Sequence, residues 1–126
     1  MSLKDEPTAG TGPGWREDAP RVCPIADTLE LVGDRYALLI LRELEFGVRR
    51  FSDIRHNIGA PRETLTARLR KLEEVGLITR QRYSEHPPRD EYFPTQAGSE
   101  LTPVLRALRQ WGEQHAAPAA GVARCD

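Results

Sequence analysis

Between Arg62 and Arg80 the chain reads RETLTARLRKLEEVGLITR. Its side chains could read the edges of base pairs. An arginine bonds guanine at two points, a glutamate accepts from cytosine, and threonine or alanine meets the thymine methyl. A duplex major groove admits one α-helix, whose N-terminal half points inward. That half offers Arg62, Glu63, Thr64, Thr66, Ala67 and Arg70. At helical spacing Leu65, Leu69, Leu72 and Val75 fall on one side. Glu63, Ala67, Arg70 and Glu74 fall on the other, flanked by Thr66 and Lys71. Glu73 and Glu74 come in the last two turns, where they would leave the groove. The same pattern also describes a surface helix with a solvated face, so the flanking sequence has to decide between the two.

The flanks carry more basic residues. Arg80, Arg82 and Arg89 belong to a stretch that reads as a hairpin, and Arg89 follows two prolines that stiffen its tip. A stiff tip can set an arginine in the minor groove or on phosphate; pairing of Arg89 with Asp90 or Glu91 is the alternative. Arg49, Arg50 and Arg55 are candidate phosphate contacts, and Ser52 could either bond a phosphate or cap a helix. His56, His86 and His115 have no metal-ligand spacing among themselves or with cysteine, so no metal and no cofactor is expected. The sequence holds no glycine-rich phosphate loop, nucleophile elbow or paired-carboxylate signature, which argues against an enzyme.

The elements that would position these residues follow from pattern and punctuation. Of 126 residues, 39% are apolar and 29% charged, a composition that fits one soluble globular domain. No apolar run approaches the roughly 18 residues of a membrane span, and the first residues lack the apolar core of a secretory signal. Two cysteines make no disulfide framework, so a cytoplasmic location is expected. Net charge is −1, yet residues 49–90 hold ten basic against six acidic residues. Binding follows local potential more than the total.

Residues 1–20, rich in Pro, Gly, Thr and charge, read as a disordered arm, 21–116 as the folded domain, and 117–126 as a flexible tail. Pro24 opens a short helix carrying Ile25, Leu29 and Val32, and Gly33 ends it. Asp34 caps a core helix, RYALLILREL, expected to be buried on most sides. Gly47 breaks the chain, and Ser52 is expected to cap a short helix from Asp53 to Asn57. Gly59 makes the turn, Pro61 takes the first position of the next helix, and Gly76 stops it. LITRQRY and EYFP are strands either side of a tip, SEHPPRD. Thr95 caps one last helix, with Pro103 kinking it or weakening its first turn. The order is α+β, mostly α: a helix-turn-helix followed by a wing. Leu101, Val104, Leu105, Leu108 and Trp111 then form a stripe close to a heptad seam, more apolar surface than so small a domain needs to cover. The expectation is a homodimer built mainly by that last helix, at Leu101, Leu105, Leu108 and Trp111, with help from Ile25 and Leu29 on the first. Folding of the last helix back onto its own core is the alternative.

From Cys23 to His115 the chain resembles the HxlR family of bacterial winged-helix transcriptional regulators, relatives of the MarR group. The stretches that carry the resemblance are CPI, LVGDRYALLILREL, RRFSDIRHNI, LTARLRKLEEVGLITRQ, PPRDEYFPTQAG and LRALRQWGE. Two positions depart from the family pattern: GDRY replaces the usual GGKW, placing Tyr36 where Trp is common, and Pro61 stands where Ser is common. The resemblance implies a homodimer that binds double-stranded DNA and controls transcription. A winged helix used only to contact other proteins is the competing reading, and an acidic or apolar face on the Arg62 helix would have favoured it.

Cys23 directly precedes Pro24 and so should cap the first helix, where the dipole and free N–H groups favour a thiolate. The resemblance points the same way, because some HxlR-type regulators use a cysteine at the matching position as a redox or quinone switch. A small packed cysteine is the plainer alternative. Cys125, in the tail, is a poor partner for it. A small-molecule or oxidant inducer is left open.

Overall fold

The computed structural model describes residues 21–116, so the arm at 1–20 and the tail at 117–126 lie outside the described residues. The described residues form α1 (Pro24–Val32), α2 (Arg35–Glu45), α3 (Phe51–Ile58), α4 (Arg62–Glu74), β1 (Ile78–Glu85), β2 (Pro88–Pro94), α5 (Gln96–Ser99) and α6 (Thr102–His115). The described residues fall into two compact units that divide between Gly33 and Asp34.

In the first unit Pro24 stands at the start of α1 and Cys23 caps it. The cysteine Sγ accepts from the Ala26 N–H at 3.5 Å, and the Thr28 hydroxyl donates to the Pro24 carbonyl at 2.8 Å. Gly33 does end the helix, but with right-handed φ of −76°. Its requirement is space, since a Cβ there would collide with the Leu29 carbonyl oxygen.

In the second unit Asp34 caps α2, its Oδ1 accepting from the N–H groups of Tyr36 and Ala37 at 2.8 and 2.9 Å. This helix is less enclosed than its sequence suggests. Ala37, Ile40, Leu41 and Leu44 are buried, but Leu38 and Leu39 are only half-buried. The buried side also includes a carboxylate, Glu43. Ile54 and Ile58 of α3, Leu65, Leu69 and Leu72 of α4, and Leu77 with Ile78 complete the core.

Three local expectations are corrected. Ser52 does not cap α3; Arg50 precedes the helix, and Ser52 lies within its first turn. The cause lies upstream. The Arg49 carbonyl accepts from Tyr92 N–H at 2.9 Å and Arg50 bridges Glu91, so the extended segment ends at Arg50 and the helix opens at Phe51, ahead of Ser52. Pro61 precedes α4, with ψ of 148°, and is not its first residue. Val75 is not on the buried stripe: α4 ends at Glu74, and Val75 is exposed. Gly59 (φ 69°) and Gly76 (φ 83°) make the left-handed turns on either side of α4, a conformation that glycine adopts without steric cost.

The wing is longer than the sequence pattern indicates. Antiparallel pairing runs from Ile78 opposite Pro94 out to Glu85 opposite Pro88, with an irregularity between Arg82 and Ser84. Only His86 and Pro87 remain as the turn, in place of a seven-residue tip. Polar cross-strand pairs such as Arg82 with Asp90 extend the ladder where alternating hydrophobicity gives no signal.

The last helix is two helices. Thr95 caps α5, and its hydroxyl also donates to the Gly76 carbonyl at 2.7 Å. The chain then restarts as α6 with Pro103 in the first turn, where a missing N–H is harmless. Thr102 ties that start to α2 through Glu45 Oε1 at 2.8 Å. Gly98 is buried where a Cβ would overlap the Leu77 carbonyl oxygen. Gly98→Ala should therefore cost about 1–3 kcal/mol, lowering the thermal midpoint by roughly 5 °C or more in a calorimetric scan. An unchanged midpoint would mean that α5 shifts freely off the base of the wing.

Candidate nucleic-acid interface

Helix α3, the turn at Gly59 and helix α4 form a helix-turn-helix, and β1 with β2 follows directly as a wing. With Leu65, Leu69 and Leu72 committed to the core, Arg62, Glu63, Thr66, Ala67, Arg70, Lys71 and Glu74 of α4 remain exposed. Thr64 is half-buried. The Thr66 hydroxyl donates back to the Arg62 carbonyl at 2.9 Å, which leaves it free to act as an acceptor. The Arg62 guanidinium stands over the Phe51 ring, 5.2 Å from its centre, and this links the starts of α3 and α4.

The arginines separate into those engaged within the protein and those that are not. Arg49 donates to the Leu44 carbonyl at 2.8 Å and lies 4.8 Å from the centre of the Phe93 ring. That makes it a structural brace between the end of α2 and the wing. Arg50 is exposed but stacks over Tyr83 at 4.6 Å and faces Glu91 at 3.7 Å. In the wing, Arg82 bonds Asp90 at 2.8 Å, and that hydrogen bond and charge hold its guanidinium above its ordinary pKa. Arg80 lies 3.8 Å from both Asp90 and Glu73. Arg68 turns away from the exposed face to Asp34 at 2.8 Å.

Arg55, Arg70 and Arg89, by contrast, have no side-chain partner among the described residues. The alternative, pairing of Arg89 with Asp90 or Glu91, is therefore absent among the described residues. Arg89 sits in β2 opposite Ser84 and not in the turn itself, so strand pairing does the stiffening assigned to the prolines. Ser52 is exposed in the first turn of α3.

Sequence reasoning missed the polar contacts that orient the two helices. Glu43 Oε1 accepts from Asn57 Nδ2 of α3 at 2.8 Å, while Oε2 accepts from Arg42 Nε and Nη2 at 3.1 and 2.7 Å. The available signal was position: Glu43 is three residues beyond Ile40 on a helix, hence on the inward face. In the wing, the Tyr92 phenol is half-buried, and burial, then the Asp90 charge, push its pKa up.

The chain matches the HxlR-like helix-turn-helix family over residues 31–120. It belongs to that family. Similar proteins include an HTH-type transcriptional regulator of Mycobacterium tuberculosis, 52% identical over 91 residues, covering 72% of this chain and 58% of the relative. Another, from Synechocystis, is 42% identical over 92 residues, covering 72% of this chain and 68% of the relative. The chain thus spans only 58% of the length of the mycobacterial relative. Among solved structures, the redox regulator HypR in its oxidized form superposes with a TM-score of 0.70 at 30% identity. That match covers 76% of this chain and 100% of HypR. The reduced form of the transcriptional regulator YodB from B. subtilis gives 0.63 at 30% identity over 78% of this chain and 98% of that one. The HxlR-like assignment covers α2 through α6 entire, so the helix-turn-helix and the wing both lie within it.

Proposed function

We propose that the chain is a DNA-binding transcriptional regulator that works as a homodimer on an inverted-repeat duplex site, reading bases with α4 and contacting the backbone with the wing. The observation that carries this reading is Arg70, exposed on α4 with no partner inside the protein among the described residues. An unpaired guanidinium beside Ala67, Thr66 and Glu63 is the donor–acceptor mixture that base edges require. Arg62, Thr64 and Lys71 flank that group, and Arg89, Ser52 and Arg50 are assigned to phosphate. The family membership and the relatives' names support transcriptional control. Arg70→Ala should cost about 1–3 kcal/mol on a duplex selected from random sequence and relax preference at one base pair per half-site. Wild-type affinity should fall steeply with salt as counterions are released. If selected sites lack two-fold symmetry and the variant binds every sequence as before, the competing protein-interaction reading takes over.

Exposed apolar surface supports the dimer. Leu108 is 50% and Trp111 63% exposed on α6, Val104 is exposed beside them, and Leu101 and Leu105 are half-buried. Leu105 and Leu108 also line an open groove of about 820 Å³ with Leu38, Leu39 and Phe46. Ile25 and Leu29 are exposed on α1. So much apolar surface on a small domain marks an interface. Leu108→Glu should set an unpaired charge in that interface and halve the mass seen by light scattering; a mass equal to wild type rules the α6 interface out.

Regulation through Cys23 is the finer part of the proposal. Its Sγ accepts from the Ala26 N–H at the start of α1 at 3.5 Å, and the side chain is partly accessible. HypR and YodB are described by oxidation state, which favours the same reading. Hypochlorite or a quinone should alter duplex binding by wild type and leave Cys23→Ser unaffected. An equal response in both proteins makes Cys23 structural.

A further inference from the structure

We propose that Asp34 is a positioning residue for α4: a single carboxylate caps α2 with one oxygen and holds the orientation of the recognition helix with the other. The inference rests on the reading of α4 as that helix. Oδ1 is occupied by the N–H groups of Tyr36 and Ala37 at 2.8 and 2.9 Å. Oδ2 lies 2.8 Å from Arg68 Nε. That nitrogen is shut off from water and has no hydrogen-bond acceptor in line with its N–H, although the Arg68 side chain as a whole is 37% exposed. A dry polar atom on a cation needs compensation, and here the nearby charge of Asp34 supplies it.

The consequence is directional. The two oxygens of a carboxylate move as one plane, so the start of α2 and the middle of α4 are referred to one point. Arg68 and Arg70 share a helical turn, and any roll of α4 that pulls Arg68 from Asp34 displaces Arg70 by the same angle. The α4 helix has a second ionic tether near its end, Glu73 to Arg80, but at 3.8 Å it is looser. With both side chains of the Asp34–Arg68 pair more than a third exposed, the pair adds little to stability. Its effect falls on aim. Bidentate base contacts tolerate displacement poorly, whereas a flexible side chain can follow a phosphate. Discrimination between sequences, and not bulk affinity for duplex, depends on the clamp.

The substitutions that separate cap from clamp are Asp34→Asn, which keeps a good capping oxygen, and Arg68→Met, which keeps the apolar stem. Either should weaken binding to the selected duplex roughly three- to tenfold, with random-sequence duplex, salt slope and thermal midpoint nearly as in wild type. The double variant should be no weaker than either single one, and Arg68→Lys should recover part of the loss. Without DNA, amide hydrogen exchange from Leu65 to Leu69 should quicken in Asp34→Asn. The proposal is overturned if Asp34→Asn discriminates sequences like wild type, or if exchange in α4 is unchanged. It is also overturned if Arg68→Met weakens selected and random duplex alike with a salt slope shallower by about one, which makes Arg68 a phosphate contact. A wild type that shows no sequence preference sinks the recognition reading instead, and the exchange measurement then decides the clamp alone.

Discussion

A carboxylate buried among leucines sets the terms for the second unit. Glu43 sits on the inward side of α2, and α2 packs against α3, α4, β2, α5 and α6. A buried charge is tolerated only where its oxygens are bonded, and those bonds have direction. Arg42 satisfies one oxygen and Asn57 the other, so α3 is held against α2 at a fixed angle that apolar contact alone would leave loose. The Glu43 carbonyl meanwhile accepts from Val48 N–H at 3.0 Å, closing the end of α2 as the chain turns toward Arg49. Arg49 then braces that corner from the other side through the Leu44 carbonyl and the Phe93 ring. The helix-turn-helix and the root of the wing thus share one polar framework.

How much of this was legible follows from what each signal encodes. Periodicity reports burial, so the apolar stripe of α4 from Leu65 to Leu72 and the identity of its exposed face could be read directly, though not the end of the helix before Val75. Caps with a short side chain on the helix boundary, Asp34 and Thr95, were legible for the same reason: their bonds are local. Ser52 misled because a cap must be the last extended residue before the helix, and that residue is Arg50, held by its bridge to Glu91, far off in sequence. The split between α5 and α6 was hidden in a similar way, since Gly98 is needed for a close approach to Leu77 that no local pattern records. The wing's outer strands are polar on both faces, and alternation has nothing to mark there.

The candidate interface was legible in its residue types and only partly in its roles. A count of basic residues between 49 and 90 shows the excess, but long-range pairing decides which of the arginines are available. Arg49, Arg68 and Arg82 are consumed by contacts with residues 5, 34 and 8 positions away in the chain. Arg70 and Arg89 are not. From sequence alone the five are equivalent cations.

If the wing lies against a duplex as proposed, its acidic residues have a further consequence. Asp90 stands beside both Arg80 and Arg82 and acts as a built-in counterion for each. A polyanion must displace a tethered carboxylate, not a dissolved ion, before it gains those two cations. No entropy of release to bulk accompanies that exchange, so the indiscriminate attraction of ordinary duplex is damped at the wing. On that reading, what a genome's vast excess of wrong sites can compete for would be lowered, while the contacts proposed for α4 would keep their full value. The ratio that governs occupancy would then rise without any added contact to the correct sequence.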